Sequence, residues 1–137
     1  MTRERVASGS PYEVRFGFAR AVRDGRRILV AGTGPVEDDG SSTQGDVAAQ
    51  AERCCALIVA AIERLGGRAD DVIRTRMFLT DPADQDAVGE VHARHFGKAR
   101  PAATMVGVAW LCRAEWKVEI EAEAILPTSK QDRANSY

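Results

Sequence analysis

Between Glu115 and Leu126 the chain alternates between two chemistries. Trp116, Val118, Ile120, Ala122, Ala124 and Leu126 are apolar, whereas Glu115, Lys117, Glu119, Glu121 and Glu123 are charged. A side-chain period of two belongs to a strand, so this segment predicts a strand with one face in a core and one lined by glutamates. Its apolar face needs a cover, and the chain offers two amphipathic helices. Over Asp46 to Leu65, residues Val47, Ala51, Cys54, Ile58, Ala61 and Leu65 form one stripe at the helical period, widened by Cys55 and Ile62 and closed by Gly66-Gly67. After Thr80-Asp81-Pro82, a cap with proline at the first helical position, Val88, Val91, His92, His95 and Phe96 mark a second helix that Gly97 stops.

Further strands complete the pattern. Tyr12 to Arg23 reads as a strand region from the alternation of Val14, Phe16 and Phe18 with Arg15 and Gly17, and Asp24-Gly25 turns it into a hairpin with Arg27 to Gly32. Pro35 to Ser42 reads as a loop, with room for one short strand. Val72 to Leu79 and Thr104 to Leu111 are strands. The order strand, strand, helix, strand, helix, strand, strand predicts an α+β fold: a two-layer domain with one sheet and two helices on one of its faces. The other face mixes glutamates with Phe16 and Phe18, which predicts self-association.

At 137 residues the chain fits a single domain, with residues 1–11 and 127–137 expected as loose ends. Nineteen Lys and Arg against twenty Asp and Glu give a net charge of −1, so there is no global attraction to nucleic acid or to an anionic membrane. No apolar run has the length of a membrane span, and the charged N-terminus lacks a secretory signal. Three cysteines without framework spacing predict a reduced, cytoplasmic protein.

Each candidate site has a plainer reading beside it. The Glu119, Glu121, Glu123 ladder is either a solvated sheet face or the source of one desolvated carboxylate fit for general acid–base work, and the pattern does not choose among the three. His92 and His95, three apart, have the spacing for a shared metal but lack an acidic third ligand, so they read as packing or surface histidines, with no metal site. Cys54 and Cys55 read as buried structural thiols, and Cys112 has no activating partner. Gly32-Thr33-Gly34 lacks the remainder of a phosphate loop and reads as a turn that admits close approach. Arg20, Arg23, Arg26 and Arg27 are divided between faces rather than gathered in a nucleic-acid patch. Gly89, inside a helix, marks close approach of a backbone or ligand.

Several segments then resemble one family. They are Phe18-Ala19-Arg20-Ala21-Val22, Ile28-Leu29-Val30-Ala31-Gly32, Asp71-Val72-Ile73-Arg74-Thr75, Phe78-Leu79-Thr80-Asp81, Phe96-Gly97, Arg100-Pro101-Ala102 and Val118-Glu119-Ile120-Glu121-Ala122. Their order and spacing from Ser8 to Leu126 are similar to the RidA/YjgF family. The resemblance implies a chorismate-mutase-like fold, a homotrimer with ligand clefts between subunits, and cofactor-free, metal-free hydrolysis of enamines and imines such as 2-aminoacrylate. It implies that Glu119 is the glutamate that handles water, that Ala31 and Gly32 are the turn lining the pocket, and that Thr104 is the hydroxyl residue of the cleft segment. Three positions depart from the pattern. Ala103 stands where the family has a carboxylate-binding arginine, Phe18 where it has a tyrosine, and Gly89 where an asparagine is frequent. The resemblance therefore implies a ligand bulkier or less acidic than 2-aminoacrylate, with Arg20, Arg76 and Arg100, in that order, as substitute cations. The other reading is a non-catalytic small-molecule-binding or regulatory trimer using the same cleft.

Overall fold

A computed structural model describes residues 2–128. Its elements are β1 (Glu4–Val6), α1 (Pro11–Phe16), β2 (Ala21–Asp24), β3 (Arg27–Thr33), α2 (Val47–Arg64), β4 (Val72–Leu79), α3 (Gln85–Phe96), β5 (Ala102–Gly107) and β6 (Val118–Ile125). Six strands form one sheet in the order β1-β2-β3-β6-β4-β5. Every pairing is antiparallel except β4 with β5.

The alternating segment is the centre of this sheet. β6 lies between β3 and β4, and its Val118, Ile120, Ala122 and Ala124 are buried. They pack with Ile28, Val30, Met77 and Leu79 of the neighbouring strands against the stripe predicted on α2, including Cys54, Ile58 and Ile62. α3 adds Val88, Val91 and Phe96. α2 begins where Asp46 accepts the Ala49 amide on its side chain, an N-cap that satisfies one orphan donor. The two helices thus cover one face, and the α+β expectation holds.

The first expected strand region is corrected. Pro11–Phe16 is helical, and the strand begins only at Ala21. Ser10 accepts the Tyr12 amide, Pro11 opens the helix, and Gly17 closes it at φ 76°. The signal was present in the sequence: Ser10 and Glu13 have capping-box spacing, with proline at the first helical position. The alternation of Val14 and Phe16 is no buried strand face, since these side chains are 92% and 64% exposed. Arg20 and Phe18 consequently share no strand; both lie in the connection between α1 and β2.

Smaller differences follow from local hydrogen bonding. Within the expected loose N-terminal end, Glu4–Val6 pair with β2 and bury Val6. Residues 129–137 of the expected loose tail lie outside the described residues. Pro82–Asp84 form a 3-10 turn ahead of α3, capped by Asp81. β5 is shorter at its C-terminal end than expected and starts two residues earlier. Glu115 and Trp116 precede β6. Ser42 bonds both: its hydroxyl donates to Glu115 and accepts the Trp116 indole N–H. The segment Pro35–Ser42 contributes only an isolated bridge between Val36 and Ser42.

Candidate functional site

β3 and β6 pair in register from Arg27↔Ile125 to Val30↔Ala122, then slip so that Thr33 opposes Ile120. Ala31 and Gly32 occupy this irregularity. Glu119 packs against Gly32, where a Cβ would lie 3.1 Å from Glu119 Oε2 and make the carboxylate give way by a few tenths of an ångström. Glu119 faces away from the helices, as do Glu121 and Glu123. Of the three, Glu119 has its carboxyl pushed above the usual carboxylate range. Burial is the main cause, Glu121 adds to it, and the Arg20 charge opposes it. The tertiary structure thus chooses within the ladder, where the alternation did not.

Arg20 reaches the same spot from the α1–β2 connection. Its Nη2 donates to the Gly32 carbonyl at 2.5 Å, and its backbone pairs with Val6 and Ala31. Its Nε is buried with no partner, the one such side-chain atom among the described residues. Burial lowers the Arg20 pKa, opposed by Glu13 and Glu119; the guanidinium stays charged at neutral pH. Glu13 is itself buried, its carboxylate accepting from the Ser8 amide and hydroxyl. A separate groove of about 590 Å³ opens at Ala31, with walls that include Phe18, Val22 and Leu29, and with Arg5 and Glu13 as its charged members.

The other expected cations are placed differently. Arg76 is engaged by Glu121 at 2.9 Å. Arg100 is exposed in a left-handed bend at φ 51°. Arg23 donates to the Leu65 carbonyl beyond α2, Arg26 to the Leu126 carbonyl, and Arg27 lies 3.7 Å from Glu123. The arginine-rich stretch is therefore a set of protein-internal contacts.

The remaining predicted residues form a second group. Ala103 pairs with Thr75 in parallel register, and Thr104 pairs with Arg76. Paired residues of parallel strands share a face, so Ala103 lies on the helix side with buried Thr75, and Thr104 on the outer side. Gly89 lies on α3, where a Cβ would meet nothing within 4 Å. Within one chain, Ala103 and Gly89 are thus separated from Glu119 by the sheet itself. β5 is also three strands from β3, roughly 14 Å.

His92 and His95 do not converge. His92 Nε2 is 2.7 Å from Thr75 Oγ1, and His95 Nε2 is 2.8 Å from Glu52. Among the described residues no three His, Cys, Asp or Glu side chains are grouped to hold a metal. Cys54 and Cys55 are buried in the core, and burial pushes the Cys55 thiol up to about 12. Cys112 is exposed. No described helix is long and apolar enough to cross a membrane.

Residues 10–126 match the model of the family described as Endoribonuclease L-PSP. The chain belongs to this family. An uncharacterized protein of Streptomyces coelicolor is 41% identical over 120 residues, 88% of this chain and 90% of its own length. The 3-aminoacrylate deaminase RutC of Acinetobacter baylyi is 30% identical over 108 residues, 78% of this chain and 85% of that protein. Among solved structures, a member of the YjgF/YER057c/UK114 family from Mycobacterium tuberculosis superposes with a TM-score of 0.82 at 42% identity, covering 91% of this chain and all of that one. The Escherichia coli YjgF product gives 0.78 at 29% identity, covering 89% and 98%. The resemblance to RidA/YjgF proteins therefore extends to the backbone of nearly the whole chain.

Proposed function

We propose that this protein is a single-domain, homotrimeric hydrolase of a reactive imine or enamine, acting in a cleft between subunits. The observation that carries the reading is the desolvated Glu119 carboxyl seated against Gly32 beside the Arg20 guanidinium. A carboxyl raised toward neutrality is a better general base than a solvated one. Glu119 takes a proton from water as its oxygen adds to the C=N carbon, and the nitrogen takes up a proton. Collapse of the carbinolamine breaks the C–N bond, releases ammonia and leaves a carbonyl compound. No cofactor is needed for this balance. The name of the Acinetobacter relative points to the same chemistry.

The division of the candidate residues supports assembly. Ala103 and Gly89 reach a cleft with Glu119 only if they come from another copy, because one chain holds them on opposite faces. With Phe18 and Ala103 in the cleft and an apolar groove beside Ala31, a substrate bulkier or less acidic than 2-aminoacrylate fits best. RNA fits less well: two of the outer-face arginines, Arg27 and Arg76, already lie against Glu123 and Glu121. Free thiols at Cys54, Cys55 and Cys112 suit the cytoplasm.

The test generates imines from a panel of amino acids with an amino-acid oxidase and traps them with semicarbazide. Loss of trapped product with the native protein, abolished by Glu119→Gln, supports the reading. If no side chain gives a loss, while ligands raise the melting temperature, the cleft is a binding or regulatory module instead. Light scattering gives the subunit number directly; a monomer would refute the shared cleft.

A further inference from the structure

Gln50 is a polar side chain inside the apolar stripe of α2, between Val47 and Cys54, and it is buried. Burying an amide is costly unless both of its ends are paired. Here both are, and on one short stretch of backbone. Nε2 donates to the Glu115 carbonyl at 2.9 Å, and Oε1 accepts the Lys117 N–H at 2.8 Å. Both partners lie just ahead of β6, which begins at Val118. The β3–β6 pairing stops at Thr33↔Ile120, so the ladder on that side gives this stretch no support. On the other side Thr80, just beyond β4, donates to the Lys117 carbonyl at 3.3 Å. Trp116, between the two bridged residues, lies against Gly34 with its indole N–H on Ser42. Glu119 follows two residues after Lys117, about 7 Å along the strand. Its seat against Gly32 depends on where β6 enters the sheet, since a slip of one residue reverses the faces.

We propose that Gln50 is a positioning residue for Glu119: its amide bridges the Glu115 carbonyl and the Lys117 N–H, fixes the entry of β6, and so holds the Glu119 carboxyl against Gly32. This deepens the hydrolase reading and rests on it for what the carboxyl does there. The bridge needs a donor and an acceptor on the end of one side chain, which a primary amide supplies and a carboxylate does not. Cys54, one helical turn further along α2, has its sulfur 3.9 Å from the Val118 carbonyl. The same helix therefore backs the strand up to the residue before Glu119. The charged groups around Glu119 are Arg20 from the α1–β2 connection, with Glu121 and Lys117 on its own strand. Phe78, opposite on β4, and Gly32 on β3 carry no charge. Gln50 is uncharged and lies on the helix side of the sheet, so it acts on Glu119 through the backbone and not through its own field.

The test reads the Glu119 carboxyl itself. The full chain is labelled with carbon-13 at the glutamate carboxyls, and the Glu119 signal is the one lost in Glu119→Gln. Its titration midpoint by NMR is compared in the native protein, Gln50→Met and Val91→Ala. Gln50→Met keeps the chain length and removes both bonds. Val91→Ala opens the core at α3 and controls for lost stability alone. Burial holds the native carboxyl above the usual range, so release from Gly32 into solvent should lower the midpoint in Gln50→Met. Val91→Ala should keep the native midpoint. Gln50→Asn, one methylene shorter, should fall between native and Gln50→Met, and it replaces Gln50→Met if that variant does not fold. An unmoved midpoint in the Gln50 variant, or an equal shift in Val91→Ala, overturns the proposal. Imine turnover in Gln50→Met should also drop by about tenfold or more in kcat, with KM little changed. The two readings separate cleanly. Absence of turnover in the native protein sinks only the hydrolase. An unmoved midpoint beside Glu119-dependent turnover sinks only the positioning role.

Discussion

Glu119 lies so close over Gly32 that any side chain at residue 32 would touch its carboxylate. A Cβ at residue 32 would come within 3.1 Å of Glu119 Oε2, the far end of a side chain that can yield. Gly32→Ala should therefore fold normally but displace the carboxylate, and a misplacement of this kind costs about 10–100-fold in kcat. Gly34→Ala makes the contrast. Its Cβ would lie 2.4 Å from the Trp116 ring, which Ser42 holds by the indole N–H. That ring has no free end to move, so a loss of about 1–3 kcal/mol in stability is expected from overpacking. Thermal melts and turnover of the two variants, measured side by side, check both halves.

Glu119→Gln should lower imine turnover by about 10²–10⁴-fold, the usual worth of general acid–base help. It should also stabilise the protein at neutral pH. The folded-state pKa of Glu119 lies above its unfolded value, so native stability falls as pH rises from the unfolded pKa through the folded one. Above that window the charged carboxylate is a full liability, which the amide removes. Below it, both proteins carry a neutral group and the advantage disappears. Urea melts at pH 7.5 and at pH 3.5 would show a gain only at the higher pH; an equal gain at both would contradict the desolvation account.

Arg20→Met removes the charge that restrains the Glu119 pKa. The carboxyl then titrates higher still, and the acid limb of kcat/KM moves to higher pH. Arg20→Lys keeps the charge and should leave that limb near its native position, although it loses the guanidinium contact to the Gly32 carbonyl. A pH profile unmoved in Arg20→Met would show that the two charges do not communicate.

Ile120 is fully buried in the central strand, next in sequence to Glu119 and opposite Thr33. Ile120→Ala should cost about 2–5 kcal/mol through lost burial and the cavity left behind. At reduced temperature, where the variant remains folded, residual turnover near the native value would place Ile120 in the core alone. A pronounced loss there would mean that the strand itself shifts under Glu119.

Much of the fold was legible because its signals are local. The period-two run named β6 and its buried side, and the stripe from Val47 to Leu65 named α2 with its ends within one residue. The error at Tyr12–Arg23 arose where two local signals competed. The alternation of Val14, Phe16 and Phe18 suggests a strand, whereas Ser10-Pro11-Tyr12-Glu13 starts a helix, and six residues are too few for a helical stripe to declare itself. Arg20 lies in this same corrected segment, outside any strand. Its true position depends on the turn after Gly17 and on the pairing of its backbone with Val6 and Ala31.

The sequence by itself determined the α+β class, the two covering helices and the presence of a glutamate-lined sheet face, since side-chain periodicity reports which way each segment must turn its apolar atoms. Only the tertiary structure decided which glutamate is desolvated. That choice depends on the slip between Val30 and Thr33, which brings Gly32 under Glu119, and on Arg20 arriving from another part of the chain. The tertiary structure also divided the predicted residues between the two faces of the sheet, with Ala103 on the helix side and Glu119 on the outer side. Register and strand order set these relationships across gaps of many residues, and no local pattern in a chain encodes which strand becomes the neighbour of which.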